Sequence, residues 1–151
     1  METTLVILKP DALKRGLVGK IITRFEEKGL EILSIQMRRL VMDEVIEHYT
    51  EHSGKAFLPQ LLEFMTSGPV VLMAIRGLGV IKVVRKMIGA TEGIQADQGT
   101  IRGDYCQYRT YNLVHASDSE ESAKRELDLF FKDMRFPQEF NNLNSGFVFG
   151  K

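Results

Sequence analysis

Every residue from Thr3 to Leu8 is β-branched or apolar, on both sides of the alternation. A strand of that kind needs cover on both faces and belongs inside a sheet. Lys9-Pro10-Asp11 follows at once and ends the strand, because proline cannot continue a ladder. Lys9 is thereby left at a strand's C-terminal tip.

The later periods fill in what such a strand needs. Ile21, Ile22 and Phe25 recur at helical spacing, with Gly29 as the stop. From Glu31 to Arg38, Leu33, Ile35 and Met37 alternate with Ser34, Gln36 and Arg38, which predicts a strand buried on its apolar face. Asp43 is placed to cap a helix carrying Val45, Ile46 and Tyr49. A second helical stripe, Phe57, Leu58, Leu61, Leu62 and Met65, follows Ser53-Gly54 and breaks at Gly68-Pro69. Val70 to Ile75 reads as a buried strand, and Val80, Val83, Val84 and Met87 as one side of a helix ending at Gly89. Ala90 to Thr110 shows no sustained period, and structureless stretches of that length usually serve a function, so it is read as a binding loop. Tyr111 to His115 is expected as the last short strand. Ser117 or Asp118 is expected to cap a final helix with Ala123, Leu127, Phe130 and Phe131 on its apolar stripe. This order resembles the split βαβ arrangement of ferredoxin-like domains. The expected fold is therefore α+β, a ferredoxin-like α/β sandwich with a four-stranded antiparallel sheet covered by helices. Without a repeat or linker, residues 1–151 are expected to form one domain.

Twenty Lys and Arg balance twenty Asp and Glu, so the overall field gives no general attraction for nucleic acid or an anionic membrane. Any anion site must be local. The single cysteine, Cys106, cannot form an intramolecular disulfide and suits a reducing compartment. No apolar run is long enough for a signal-peptide core or a bilayer span, and a cytoplasmic protein is expected.

Of three histidines, His115 has the most suggestive context. It sits at a strand end and precedes the capping segment Ser117-Asp118-Ser119, where a strand tip and a helix N-terminus converge, a place that suits anions. Glu126 lies at the border of the last helix's apolar face, within reach of an imidazole nitrogen whose tautomer it would fix. Neutral imidazole keeps a lone pair that attacks phosphorus; a structural histidine bonded to a carboxylate is the plainer alternative. Phosphate chemistry also demands cations, and no G-x-x-x-x-G-K-[ST] loop is present. Lys9, Arg85 and Arg102 stand at element ends or in the long loop, and guanidinium forks match phosphate oxygens. The rival signal is His48-Tyr-Thr-Glu-His52, which fits the H-x-x-E-H zinc pattern but lacks a third ligand.

Asn112-Leu-Val-His115-Ala-Ser117-Asp118 resembles the N-x-x-H-[GA]-S-D signature of nucleoside diphosphate kinases. Lys9-Pro-Asp-Ala, Arg15-Gly-Leu-Val-Gly19, Ser67-Gly-Pro-Val-Val71, Met87-Ile-Gly-Ala-Thr91 and Gly99-Thr-Ile-Arg-Gly-Asp104 are similar to further family motifs, in the same order. The likeness runs from about Thr3 to Phe131. It implies transfer of the γ-phosphate of a nucleoside triphosphate, such as ATP or GTP, to a nucleoside diphosphate. The implied route is a ping-pong cycle through a phosphohistidine at His115, with Mg²⁺. By the same resemblance Glu126 and Ser117 support the histidine and Tyr49 packs beside it. Lys9 and Asn112 hold the sugar hydroxyl, Lys9 also the transferring phosphate; Arg85, Thr91 and Arg102 grip phosphates; Phe57 stacks on the base with Leu61 nearby. Mg²⁺ is expected mainly on the nucleotide, with Asp118 bearing on the metal or on the adjoining network. A homo-oligomer is implied, a hexamer rather than a tetramer.

Two stretches depart from the family pattern. Arg109 stands where many relatives have a small apolar residue facing the base, and Glu92-Gly-Ile-Gln follows Thr91 where relatives often have Asn-Pro. The tail after Phe131 also differs from the common ending. The alternative of a non-catalytic nucleotide-binding or scaffold member predicts loss of the histidine or the cations, and all of these are present.

Overall fold

The computed structural model describes residues 1–132, 134 and 136. The tail beyond Phe136, and with it the extent of the domain to residue 151, lies outside the described residues. Four strands, β1 (Glu2–Leu8), β2 (Glu31–Arg39), β3 (Pro69–Gly77) and β4 (Val114–Ala116), form one sheet in the order β2-β3-β1-β4. All three pairings are antiparallel. β1 lies inside the sheet, opposing Leu5 to Ala74 and Ile7 to both Leu72 and His115.

Alternation along β1 explains its two-sided apolar character. Val6 and Leu8 enter a core with Val71, Met73 and Ile75, under α2 (Val18–Glu27) and α5 (Val80–Ile88). Leu5 and Ile7 enter the opposite core with Leu72 and Ala74, under α3 (Met42–His48), α4 (Leu58–Thr66) and α7 (Glu120–Phe130). Each fully buried branched side chain contributes about 1.5–3 kcal/mol, so β1 anchors both layers. The α+β sandwich with helices over a four-stranded antiparallel sheet is as expected. Among the described residues no helix is long and apolar enough to cross a membrane.

Several local expectations are corrected. Pro10 does end β1, but it also opens a one-turn helix, α1 (Pro10–Lys14), because a proline at N1 needs no backbone donor. β2 forms, yet its apolar set is not its buried set: Ile35 is 51% and Met37 65% exposed. A register shift between Ile32 and Ser34 breaks the simple alternation, as a bulge does. Asp43 lies within the first turn of α3; the cap is Val41, whose N–H donates to the Glu44 carboxylate at 2.7 Å. In α5 the deepest stripe is Val80, Ile81, Val84 and Ile88, with Val83 and Met87 at its edge. The loop from Ala90 to Thr110 contains a 3₁₀ turn, Gly93–Gln95, and a short helix, α6 (Ile101–Tyr105). β4 begins at Val114 rather than Tyr111, so His115 is its central residue. The cap of α7 is Ser119, whose hydroxyl accepts from the Ser122 N–H at 3.1 Å.

Candidate active site

Leu113 has a φ of +72°, a conformation that costs a branched residue on the order of 1–3 kcal/mol. Two hydrogen bonds hold it there: its N–H donates to Asp11 Oδ2 at 3.1 Å, and its carbonyl accepts the Lys9 N–H at 2.8 Å. The strained turn thus ties the tip of β1 to the start of β4 and sets Asn112 beside Lys9. Lys9 Nζ donates to Asn112 Oδ1 at 2.7 Å, and Asn112 Nδ2 donates to the Thr91 carbonyl at 3.0 Å.

Arg102 reaches the same place from α6. Its guanidinium donates to the carbonyls of Asn112, Gly89 and Val114, which leaves two of its five N–H groups for a ligand. Gly89 has a φ of +84°, and a Cβ there would lie 2.4 Å from Thr100 Oγ1, so this close approach requires glycine. Arg85, on α5, donates to the Ala116 carbonyl at 3.3 Å. Burial and then repulsion from Arg102 push the Lys9 ammonium down to about 8. Burial and then Arg85 push Arg102 down to about 10. A lysine and an arginine each lowered by burial and by a neighbouring cation mark a site that an anion would relieve.

His115 faces the same cleft, of about 580 Å³. Its Nε2 lies 3.0 Å from Glu126 Oε2, which also accepts from the Ser117 hydroxyl at 2.7 Å. Ser117 Oγ in turn accepts the Leu5 N–H of β1 at 3.3 Å, so the carboxylate is fixed through the central strand. Burial alone would raise the Glu126 carboxyl. The hydrogen bond and charge of His115, together with Ser117, overcome this and hold it below its ordinary value.

The sequence-selected residues therefore converge. Lys9, Tyr49, Phe57, Leu61, Arg85, Thr91, Arg102, Asn112, His115, Asp118 and Glu126 all line this cleft, and Ser117 lies buried beneath it. Phe57 is 44% exposed at the far end, with the His52 ring edge-on at 5.3 Å. Arg109 also lines the cleft and pairs with Glu92 at 3.0 Å. Asp118 has its carboxyl lowered chiefly by the Ser122 hydroxyl. Among the described cleft residues cations predominate and no cage of oxygen donors is formed, which fits Mg²⁺ carried by phosphates with one carboxylate nearby.

His48 was legible only as half of a zinc pattern. In the structure His52 lies outside its cluster, in a 3₁₀ turn, and Glu51 pairs with Arg125 at 2.9 Å. His48 itself is buried, its ring edge-on to His115 at 4.6 Å, with Tyr49 at 4.4 Å on it. Its spacing of three from Val45 was the available signal, since that spacing puts both on one buried helix face. Burial pushes the Tyr49 hydroxyl up, and the Glu126 charge adds to this.

A family model described as nucleoside diphosphate kinase matches residues 2–136. A nucleoside diphosphate kinase of Rhodopirellula baltica is 54% identical over 136 residues, covering 90% of each chain. One of Staphylothermus marinus is 54% identical over 132 residues, covering 87% of this chain and 94% of the relative. The solved structure of a halophilic nucleoside diphosphate kinase from Halobacterium salinarum in complex with CDP superposes with a TM-score of 0.93. It has 41% identity and covers 97% of both chains.

Proposed function

We propose that this chain, which belongs to the nucleoside diphosphate kinase family, moves the γ-phosphate of a nucleoside triphosphate to a nucleoside diphosphate through His115. The observation that carries this reading is the 3.0 Å contact between His115 Nε2 and Glu126 Oε2. An ionised carboxylate only accepts hydrogen bonds. Nε2 therefore carries the ring proton, and Nδ1 keeps the lone pair.

The first half-reaction follows from that tautomer. Nδ1 bonds to the γ-phosphorus while the bond from phosphorus to the β–γ bridging oxygen breaks, and the diphosphate leaves with that electron pair. The imidazole gains positive charge, which the Glu126 carboxylate offsets through Nε2–H. Lys9, Arg85 and Arg102 neutralise the phosphate oxygens and hold them in line. A second diphosphate then attacks the phosphorus with a terminal oxygen, and the P–N bond returns its pair to Nδ1. Mg²⁺ would enter with the nucleotide and would supply charge neutralisation to the phosphate oxygens, and Asp118 is the carboxylate that would bear on it. Thr91 and Asn112 support phosphate and sugar, while Phe57 and Leu61 offer an apolar face to the base and Tyr49 closes the pocket near the nucleophile.

Residues 1–151 as one such domain, a cytoplasmic location and a homo-oligomer, a hexamer rather than a tetramer, belong to the same reading. Support for self-association comes from the sheet edge, where Ile35 and Met37 on β2 and Val41, Met42 and Ile46 beyond it are exposed apolar side chains.

The test is incubation with γ-labelled ATP and Mg²⁺. Wild type is expected to take up an acid-labile label that His115→Ala abolishes. An unlabelled wild type overturns the reading.

A further inference from the structure

We propose that His48, His115 and Glu126 form a zinc-class metal site at the floor of the cleft, and that filling it silences the nucleophile. The silencing rests on His115 being the phosphate carrier; the metal site itself does not.

One donor atom from each of the three residues lies within 4.8 Å of the others. His48 Nδ1 is 3.9 Å from Glu126 Oε1, the carboxylate oxygen that neither His115 nor Ser117 uses. His48 is 6% exposed, and neither ring nitrogen has a hydrogen-bond partner. An unpaired polar ring in such a place is unusual, because buried polar atoms almost always find partners. All three residues line the cleft, so an ion enters where the nucleotide does.

Two imidazoles and a carboxylate, with a fourth position open to the cleft, make the donor set of three-ligand zinc sites. Magnesium, which prefers oxygen, is disfavoured there. Donors around tetrahedral zinc lie roughly 3.3 Å apart, so side-chain adjustments of up to about 1.5 Å from separations that do not exceed 4.8 Å close the set. Zinc at Nε2 uses the lone pair of that nitrogen. The ring proton leaves Nε2 for solvent and one is taken up at Nδ1, with no net change. Nδ1 then has no lone pair for phosphorus.

The experiment titrates the full chain with Zn²⁺ by calorimetry, and with Co²⁺ by visible absorption to report tetrahedral geometry. One zinc per chain is expected. His48→Asn and Glu126→Gln should each weaken it by at least about tenfold, the loss that even a supporting partner brings; His52→Gln should leave it unchanged. Zinc should also block labelling by ATP and Mg²⁺, with chelation restoring it. The proposal is overturned if wild type binds no stoichiometric zinc, if neither His48→Asn nor Glu126→Gln weakens binding, or if His52→Gln abolishes it. Zinc binding as expected in a chain that never takes up label would leave the site standing and remove the carrier role of His115. Labelling that zinc leaves intact would remove the silencing.

Discussion

The two ends of the cleft are built differently. At the His115 end the polar groups are buried and held: Lys9 by Asn112, Arg102 by three carbonyls, Glu126 by His115 and Ser117. At the exposed end the groups are loosely tied, with Phe57 44% exposed and the Arg109 side chain 71% exposed in its pair with Glu92. A held site has its dipoles and charges placed before the reaction begins, which is where electrostatic stabilisation is largest. If the exposed end receives the base, as proposed, it tolerates different bases because little energy rides on any one contact there. Under the proposed residue roles, the contrast teaches that the phosphoryl chemistry is fixed by this fold while base recognition is left adjustable.

The strongest way to break that comparison is at Arg102. Arg102→Met removes three hydrogen bonds from a charged donor, two of them buried. Charge-assisted bonds contribute about 1.5–3 kcal/mol each and are not additive, so a loss on the order of 3–5 kcal/mol is expected. Urea denaturation measures it; a loss under about 1 kcal/mol would mean the phosphate end is not held as described.

Lys9 gives the next effect, and its sign is set by burial. The folded value of about 8 lies below the ordinary 10.5, so between those values the unfolded chain binds more protons. Stability should therefore rise with pH across that window, by on the order of 3 kcal/mol in total. It is the charged lysine below pH 8 that folding disfavours. Lys9→Met should flatten that rise relative to wild type in denaturation curves taken at several pH values. Catalysis should move the opposite way, with kcat/KM falling above about pH 8 as the free enzyme loses a phosphate-facing charge.

Glu126→Gln is a smaller disturbance in the same region. The amide keeps the shape but lacks the charge that offsets the imidazolium, and phosphoenzyme formation should slow about 10–100-fold. Nucleotide affinity should change little, because Glu126 touches His115 and not the expected position of the nucleotide. Stopped-flow labelling separates the two; equal losses in both would make Glu126 a binding residue instead.

How much of this was legible in the sequence depends on what each feature requires. β1 needed only its own two-sided apolar pattern, and α2 only Ile21 and Phe25 at helical spacing, both fully buried. The face of β2 was misread because a bulge between Ile32 and Ser34 is invisible to a period-two pattern. α1 and α6 span five residues each, too short for a 3.6-residue period to repeat. His115 and Glu126, eleven residues apart, could be paired from a strand and the helix that follows it. His48 could not, because its approach to His115 depends on how α3 packs against α7, a tertiary fact that no local period carries.

The smallest expected effect is at Arg109, and it bears on the exposed half of the comparison. A surface ion pair contributes about 0–1 kcal/mol, so breaking the contact with Glu92 should leave stability nearly unchanged. Arg109 nevertheless lines the same cleft as Phe57, and a guanidinium can stack on a base or donate to its acceptor edge. Arg109→Val should shift nucleoside diphosphate affinity by less than about tenfold, equivalent to 1.4 kcal/mol. The shift should differ between guanine and cytosine, which offer different acceptors, while phosphoenzyme yield stays at the wild-type level. Equilibrium binding of several diphosphates measures the first part and labelling the second. A loss of phosphoenzyme as large as that of Glu126→Gln would show that the two ends are coupled, and the division between a held and an adjustable end would have to be abandoned.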